Sequence, residues 1–153
     1  MSMPARRSVV RGFAAVVIAY AIADRPSLAA ADAVPLAIKG YDPVAYFTIG
    51  KPTPGLADVE YVWDERRYRF ASVENREVFR ADPVRYAPQF GNFCAMALAN
   101  GEVVVANPEN WLITGGKLYI FGKSAPFGPV LFQENLVANI AKANQNRPIL
   151  PRD

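Results

Sequence analysis

The sequence predicts an α+β domain in which small antiparallel hairpins pack against short helices and a C-terminal amphipathic helix. Three observations carry that prediction: strand-like residues flank tight turns at 59–70 and 111–121, a capped stretch without breakers follows the first of them, and apolar residues recur at helical spacing near the end. A length of 153 residues suits a single domain, and 52% hydrophobic with 12% aromatic residues exclude a disordered chain. A chain of this size buries roughly two-thirds of its unfolded surface, so the core needs no disulfide staples.

The formal charge of +3 does not point to nucleic acid. Arg6, Arg7, Arg11 and Arg25 face a single acid, Asp24, in the first 31 residues, and from Asp32 onward 13 basic residues balance 13 acidic ones. The leader has three parts: the positive Arg6, Arg7 and Arg11, the uncharged run Gly12 to Ala23, and the small residues around Ala29 and Ala31. That pattern reads as a signal peptide over 1–31 followed by one domain over 32–153. Twelve residues are too few to span a bilayer, which takes about twenty. The expected location is periplasmic or secreted, without membrane insertion after cleavage. The residues after Arg6-Arg7 fit the twin-arginine motif poorly, so Sec is the expected route.

After the apolar run Val34 to Ile38 comes Tyr41-Asp42-Pro43-Val44, where proline bars the helical conformation at Asp42 and favours a turn. A loop rich in proline and glycine fills 50–55. Val59, Tyr61 and Trp63 alternate as in a strand, 64–67 turns the chain, and Tyr68 and Phe70 alternate on the return. Pairing Trp63 with Tyr68 puts Tyr61, Trp63, Tyr68 and Phe70 on one face, for which Val78, Phe79 and Tyr86 are the expected cover. Ser72 is a good N-cap for a helix over 73–81, Asp82-Pro83 ends it, and 84–86 can restart a turn. Phe93 to Ala99 has three alanines and no β-branched residue and so leans helical. Glu102 to Val105 reads as a strand, and Gly115-Gly116 signals a tight hairpin between 111–113 and 117–121. Pro129 suits the first turn of a helix whose apolar face carries Phe132, Leu136 and Ile140. No repeat is visible.

Asp42-Pro43-Val44, the hairpin ending Tyr68-x-Phe70-Ala71-Ser72, and Phe79-x-x-Asp82-Pro83-x-x-Tyr86 together resemble the YHS domain family. With Gly40 to Phe47, Tyr86-Ala87-Pro88-Gln89 and Phe93-Cys94-Ala95 included, the chain is similar to the exported single-domain bacterial type, with a core motif over 40–95. The resemblance implies a treble-clef-like core and metal handling, copper above all. Metal-binding members carry cysteines where this chain has Ala45, Ala71 and Asn75, and the chain has no histidine, so a thiolate site at that location is not expected.

The absence of histidine removes His-based triads and His metal sites, Gly115-Gly116 lacks the tail of a phosphate loop, and the carboxylates read as solvated turn and helix charges. No enzyme is expected. One cysteine cannot form an intramolecular disulfide, so Cys94 is a buried thiol, an intermolecular partner or a ligand. The expected function is a non-catalytic module that binds a small ligand or a periplasmic protein at a cleft near Tyr41, Asp42, Tyr46, Tyr86, Gln89 and Cys94. Those residues are singled out by the density of tyrosine, proline and glycine at 40–47 and 86–94. The residues themselves call for no cofactor. The alternative is Cu(I) held by Cys94 and Met96, the only sulfurs left once Met1 and Met3 depart with the leader. If both lie inside one helix, their side chains point about 200° apart and cannot share an ion.

Overall fold

The structure, a computed structural model, describes residues 34–122 and 127–147. The leader expected at 1–31 lies outside these residues. A 3-10 turn at Ala37–Gly40 precedes α1 (Ala45–Thr48), β1 (Leu56–Trp63), β2 (Arg66–Phe70), α2 (Val73–Ala81) and α3 (Pro83–Tyr86). Then come α4 (Ala95–Ala99), β3 (Asn107–Thr114), β4 (Lys117–Phe121), α5 (Phe127–Glu134) and α6 (Leu136–Asn146). The strands form two antiparallel hairpins, β1 with β2 and β3 with β4, so the expected mix of hairpins and short helices is present.

In the first hairpin Asp64 and Glu65 both take positive φ, 49° and 58°, and close a two-residue turn. Trp63 therefore pairs with Arg66, and Tyr68 stands opposite Tyr61 rather than opposite Trp63. The turn is two residues shorter than expected. An even shift keeps each side chain on its face, so the four rings still share one side. Their cover is Phe79 alone of the expected three. Its ring centroid lies 4.7 Å from Tyr68, 5.2 Å from Phe70, 6.1 Å from Trp63 and 6.3 Å from Tyr61. Val78 points outward, 39% exposed, and Tyr86 packs edge-on against Phe47 instead. Helical periodicity allows one residue of each turn to face the hairpin, and Phe79 holds that position. Ser72 caps α2 through the Asn75 N–H at 3.1 Å, and Asp82 caps α3 through the Arg85 N–H at 3.3 Å.

The second hairpin turns at Gly115 and Gly116, with φ of 57° and 69°. Strand β4 is buried on both sides. Leu118 and Ile120 enter the core built around Tyr46, Phe70 and Phe79, whereas Tyr119 and Phe121 enter a second core around Leu98 and Phe132. The strand expected at 102–105 is an exposed loop with a single bridge, Phe93 to Val105, because the facing chain turns into α4 directly after Phe93. The expected C-terminal helix is two helices. The chain breaks at Asn135, and Asn139 Nδ2 donates to the Leu131 and Phe132 carbonyls at 3.2 and 3.0 Å, satisfying groups that the break leaves open.

A repeat is present after all. β3 starts at 107 where β1 starts at 56, and the other boundaries of the two hairpins keep this offset of 51 residues. Each hairpin interrupts its ladder with the same three-residue bulge, 57–59 in the first and 108–110 in the second. Tyr41 bridges Pro54 as Phe93 bridges Val105, and the Asp42 N–H meets the Thr53 carbonyl at 2.8 Å as the Cys94 N–H meets that of Val104 at 2.8 Å. Phe79 wedges onto Tyr68 and Phe70, and Phe132 wedges onto Tyr119 and Phe121 at 5.2 and 5.4 Å. Two copies of one unit, 40–81 and 91–134, therefore follow each other. The turns at Asp42 and Cys94 align at an offset of 52 and share Ala45/Ala97, and residues 50–70 align at 51 and share Gly50/Gly101, Tyr68/Tyr119 and Phe70/Phe121; identities this few are why the sequence does not display the copies.

Candidate functional site

Each unit begins with a residue whose side chain receives backbone N–H groups at the start of a short helix. In the first unit this is Asp42, with no exposed surface. Its Oδ1 accepts from the Val44 N–H at 2.8 Å and the Ala45 N–H at 3.3 Å. Its Oδ2 accepts from the Ala71 N–H at 2.8 Å and Asn75 Nδ2 at 2.6 Å. One carboxylate thereby ties the Asp-Pro-Val turn to the end of β2 and to α2. These donors include all three positions that the YHS resemblance assigns to cysteine, Ala45, Ala71 and Asn75. They converge, but on a carboxylate that is fully hydrogen-bonded and without a thiol among them. The residues present do not fit a thiolate metal site there.

The corresponding residue of the second unit is Cys94. It lies in extended conformation at the N-cap of α4, outside the helix, and Sγ accepts from the Ala97 N–H at 3.4 Å. Just as Ala71 abuts Asp42, the residue after β4 abuts this cap: a Cβ placed on Gly122 would stand 3.5 Å from the Cys94 Cβ. A thiol makes one such contact where the Asp42 carboxylate makes four, and here a cavity of about 160 Å³ opens. Cys94, Met96 and Ala97 line one side of it, with Val104 and Gly122. Phe127, Gly128 and Leu131 from α5 complete the apolar wall, and the exposed Asn100 and Glu102 supply its polar groups. Helix α5 sits this close to β4 because Gly128 has no side chain; a Cβ there would come within 2.7 Å of the Phe121 Cβ.

Cys94 and Met96 do not lie inside one helix, the condition under which their side chains would point about 200° apart. Only Met96 is inside α4, so the 100°-per-residue rule does not apply to the pair, and Cys94 and Met96 line the same cavity. Among the described residues no group of three or more His, Cys, Asp or Glu is placed to hold a metal ion.

Of the six expected binding residues, Cys94 alone lines the cavity. The Tyr41 hydroxyl donates to Glu109 Oε1 at 3.2 Å, and Tyr46, 1% exposed, donates to the Pro108 carbonyl at 2.8 Å. Burial, reinforced by nearby Tyr41, Asp42 and Glu109, raises the Tyr46 hydroxyl far above its usual range, and Tyr41 is raised by desolvation and by Glu109. Tyr86 packs on Phe47, with the Arg85 guanidinium 5.4 Å from its ring centre. Gln89 accepts from Lys117 Nζ at 3.2 Å and donates its N–H to the Leu118 carbonyl at 2.9 Å. Tyr46 thus braces the first unit against the second, Gln89 fastens the segment between the units to β4, and Asp42 braces the first unit internally. Sequence reading missed every cavity residue except Cys94 and Met96; among them Val104, Gly122, Phe127 and Leu131 come from a loop, a strand end and a helix. The recurring Tyr-x-Phe at 68–70 and 119–121 is the one signal that points toward them.

Asn110, the counterpart of Val59 in the second bulge, is 2% exposed, and its Nδ2 has no hydrogen-bond partner among the described residues. No helix among the described residues is long and apolar enough to cross a membrane. No family model matches the chain, and neither a curated protein nor a solved structure matches it.

Proposed function

We propose that the chain is an exported, non-catalytic binding module of the YHS type whose ligand site is the cavity at Cys94. The cavity itself carries the reading. At the same point of the first unit the space is closed by Asp42 and Asn75, whereas the second unit leaves about 160 Å³ open beside Cys94 and Met96. Binding pockets are concave and largely apolar with a few placed polar groups, as this one is on a small scale. Convergence of Ala45, Ala71 and Asn75 around Asp42 supports the YHS resemblance, and the three-part leader supports export. The site comprises one thiol with no histidine in reach, which supports binding over catalysis.

A thermal-shift screen of the protein against small metabolites and metal ions tests this, wild type beside Leu131→Trp. Leu131 is 45% exposed and lines the cavity, so the larger ring fills the space without entering the core. A ligand at one hundred times its Kd stabilises by about 2.7 kcal/mol, a readable shift. The expected outcome is a ligand that raises the melting temperature of the wild type only. A screen silent for every compound overturns the reading.

Cys94 and Met96 both line this cavity, which favours a second reading, Cu(I) bound by the two. Thiolate and thioether are soft donors suited to that ion. Titration with Cu(I) against a competing chelator separates the two: loss of affinity in both Cys94→Ser and Met96→Leu supports copper, and equal affinities for the three proteins end it.

A further inference from the structure

We infer that the occupant of the Cys94 cavity is a small, neutral, apolar molecule about the size of one six-membered ring. The inference rests on the cavity's being the binding site and adds the chemical class. Volume sets the size, because apolar cavities of roughly 150 Å³ take up benzene and this one measures about 160 Å³. The wall sets the polarity. Met96, Ala97, Val104, Phe127 and Leu131 present carbon and thioether, and the one polar group buried there, the Cys94 thiol, is already engaged by the Ala97 N–H. A charged ligand would lose its hydration without gaining a buried counter-ion. Glu102 is exposed and of the wrong sign for an anion.

Comparison of the two units supports the same class. The first unit fills this position with the Asp42 carboxylate, which accepts from three backbone N–H groups and the Asn75 carboxamide. The second unit has a thiol and apolar neighbours in place of that polar plug, so what enters must match carbon instead of N–H groups. Exposed apolar side chains stand at the opening: Phe127 is 64% exposed, Leu131 45% and Val104 41%. They give a neutral apolar solute a favourable entry path, since each square ångström of apolar surface removed from water contributes roughly 25 cal/mol.

The test is a titration followed by heteronuclear NMR with three probes of equal ring size: toluene, benzoate and benzylamine. Toluene is expected to shift the Met96, Gly122 and Leu131 signals saturably, while the two charged probes leave them in place. Leu131→Trp and Val104→Trp, both at partly exposed cavity positions, should each weaken toluene by roughly tenfold or more, equivalent to 1.4 kcal/mol. Val137→Trp, at a site 84% exposed and outside the cavity, should bind as the wild type does. Saturable binding of benzoate or benzylamine in place of toluene overturns the neutral class and leaves the cavity as a binding site. No saturable shift from any probe also overturns the inference; the binding reading itself falls only if the thermal-shift screen is silent too.

Discussion

Asp42 and Cys94 stand at the same point of two successive copies of one backbone unit, the first sealed and the second open. The backbone around them is alike down to the N–H to carbonyl bonds of 2.8 Å that close each turn. The side chains are not. A carboxylate has two oxygens and satisfies four donors on three elements, so Asp42 locks its helix to the hairpin end and to α2. A thiol reaches one donor weakly and leaves volume. The copy whose cap makes four contacts supplies rigidity, and the cavity lies in the copy whose cap makes one. The same division appears in the cores. Phe79 contacts four rings of the first hairpin, and Phe132 contacts two of the second.

Truncating the two caps should produce the largest contrast. Asp42→Ala orphans three backbone N–H groups and the Asn75 amide in the interior; at roughly 1–3 kcal/mol per unsatisfied group, the loss should reach about 5 kcal/mol. Cys94→Ala removes one weak cap and should cost about 1 kcal/mol. Urea unfolding of both variants measures the difference, and equal losses would mean that the caps are not functionally divergent.

The wedge residues come next. Both are fully buried, so Phe79→Ala and Phe132→Ala each forfeit transfer energy and leave a void. We expect about 4 kcal/mol for Phe79→Ala and about 3 for Phe132→Ala, the extra loss coming from the additional ring contacts of Phe79. A larger effect at Phe132 would invert the assignment of the first unit as the rigid one.

The smallest effect has the opposite sign. Asn110→Val gives the second bulge the residue that the first bulge has at Val59, and it removes a buried amide nitrogen that has no partner among the described residues. A gain of about 1 kcal/mol is expected in the same unfolding assay. A loss would show that Asn110 makes a contact that Val59 does not need.

Much of this was legible in the residues alone, where local chemistry decides. Ser72 and Asp82-Pro83 bound α2 as capping rules require, Gly115-Gly116 sits where the chain reverses, and alternation puts the four rings on one face of the first hairpin. These depend on neighbours within a few positions, and the chain writes them directly. Three features were decided by tertiary structure. The repeat survives in hydrogen bonds and bulges, which constrain backbone more than side-chain identity, so four shared residues over 40–70 suffice for it. The role of Asp42 depends on Ala71 and Asn75, 29 and 33 residues away, which no local pattern connects to it. The cavity exists because α5 approaches β4 at Gly128 while Cys94 sits one residue outside α4, and volume left between elements is a property of their packing, not of any one of them.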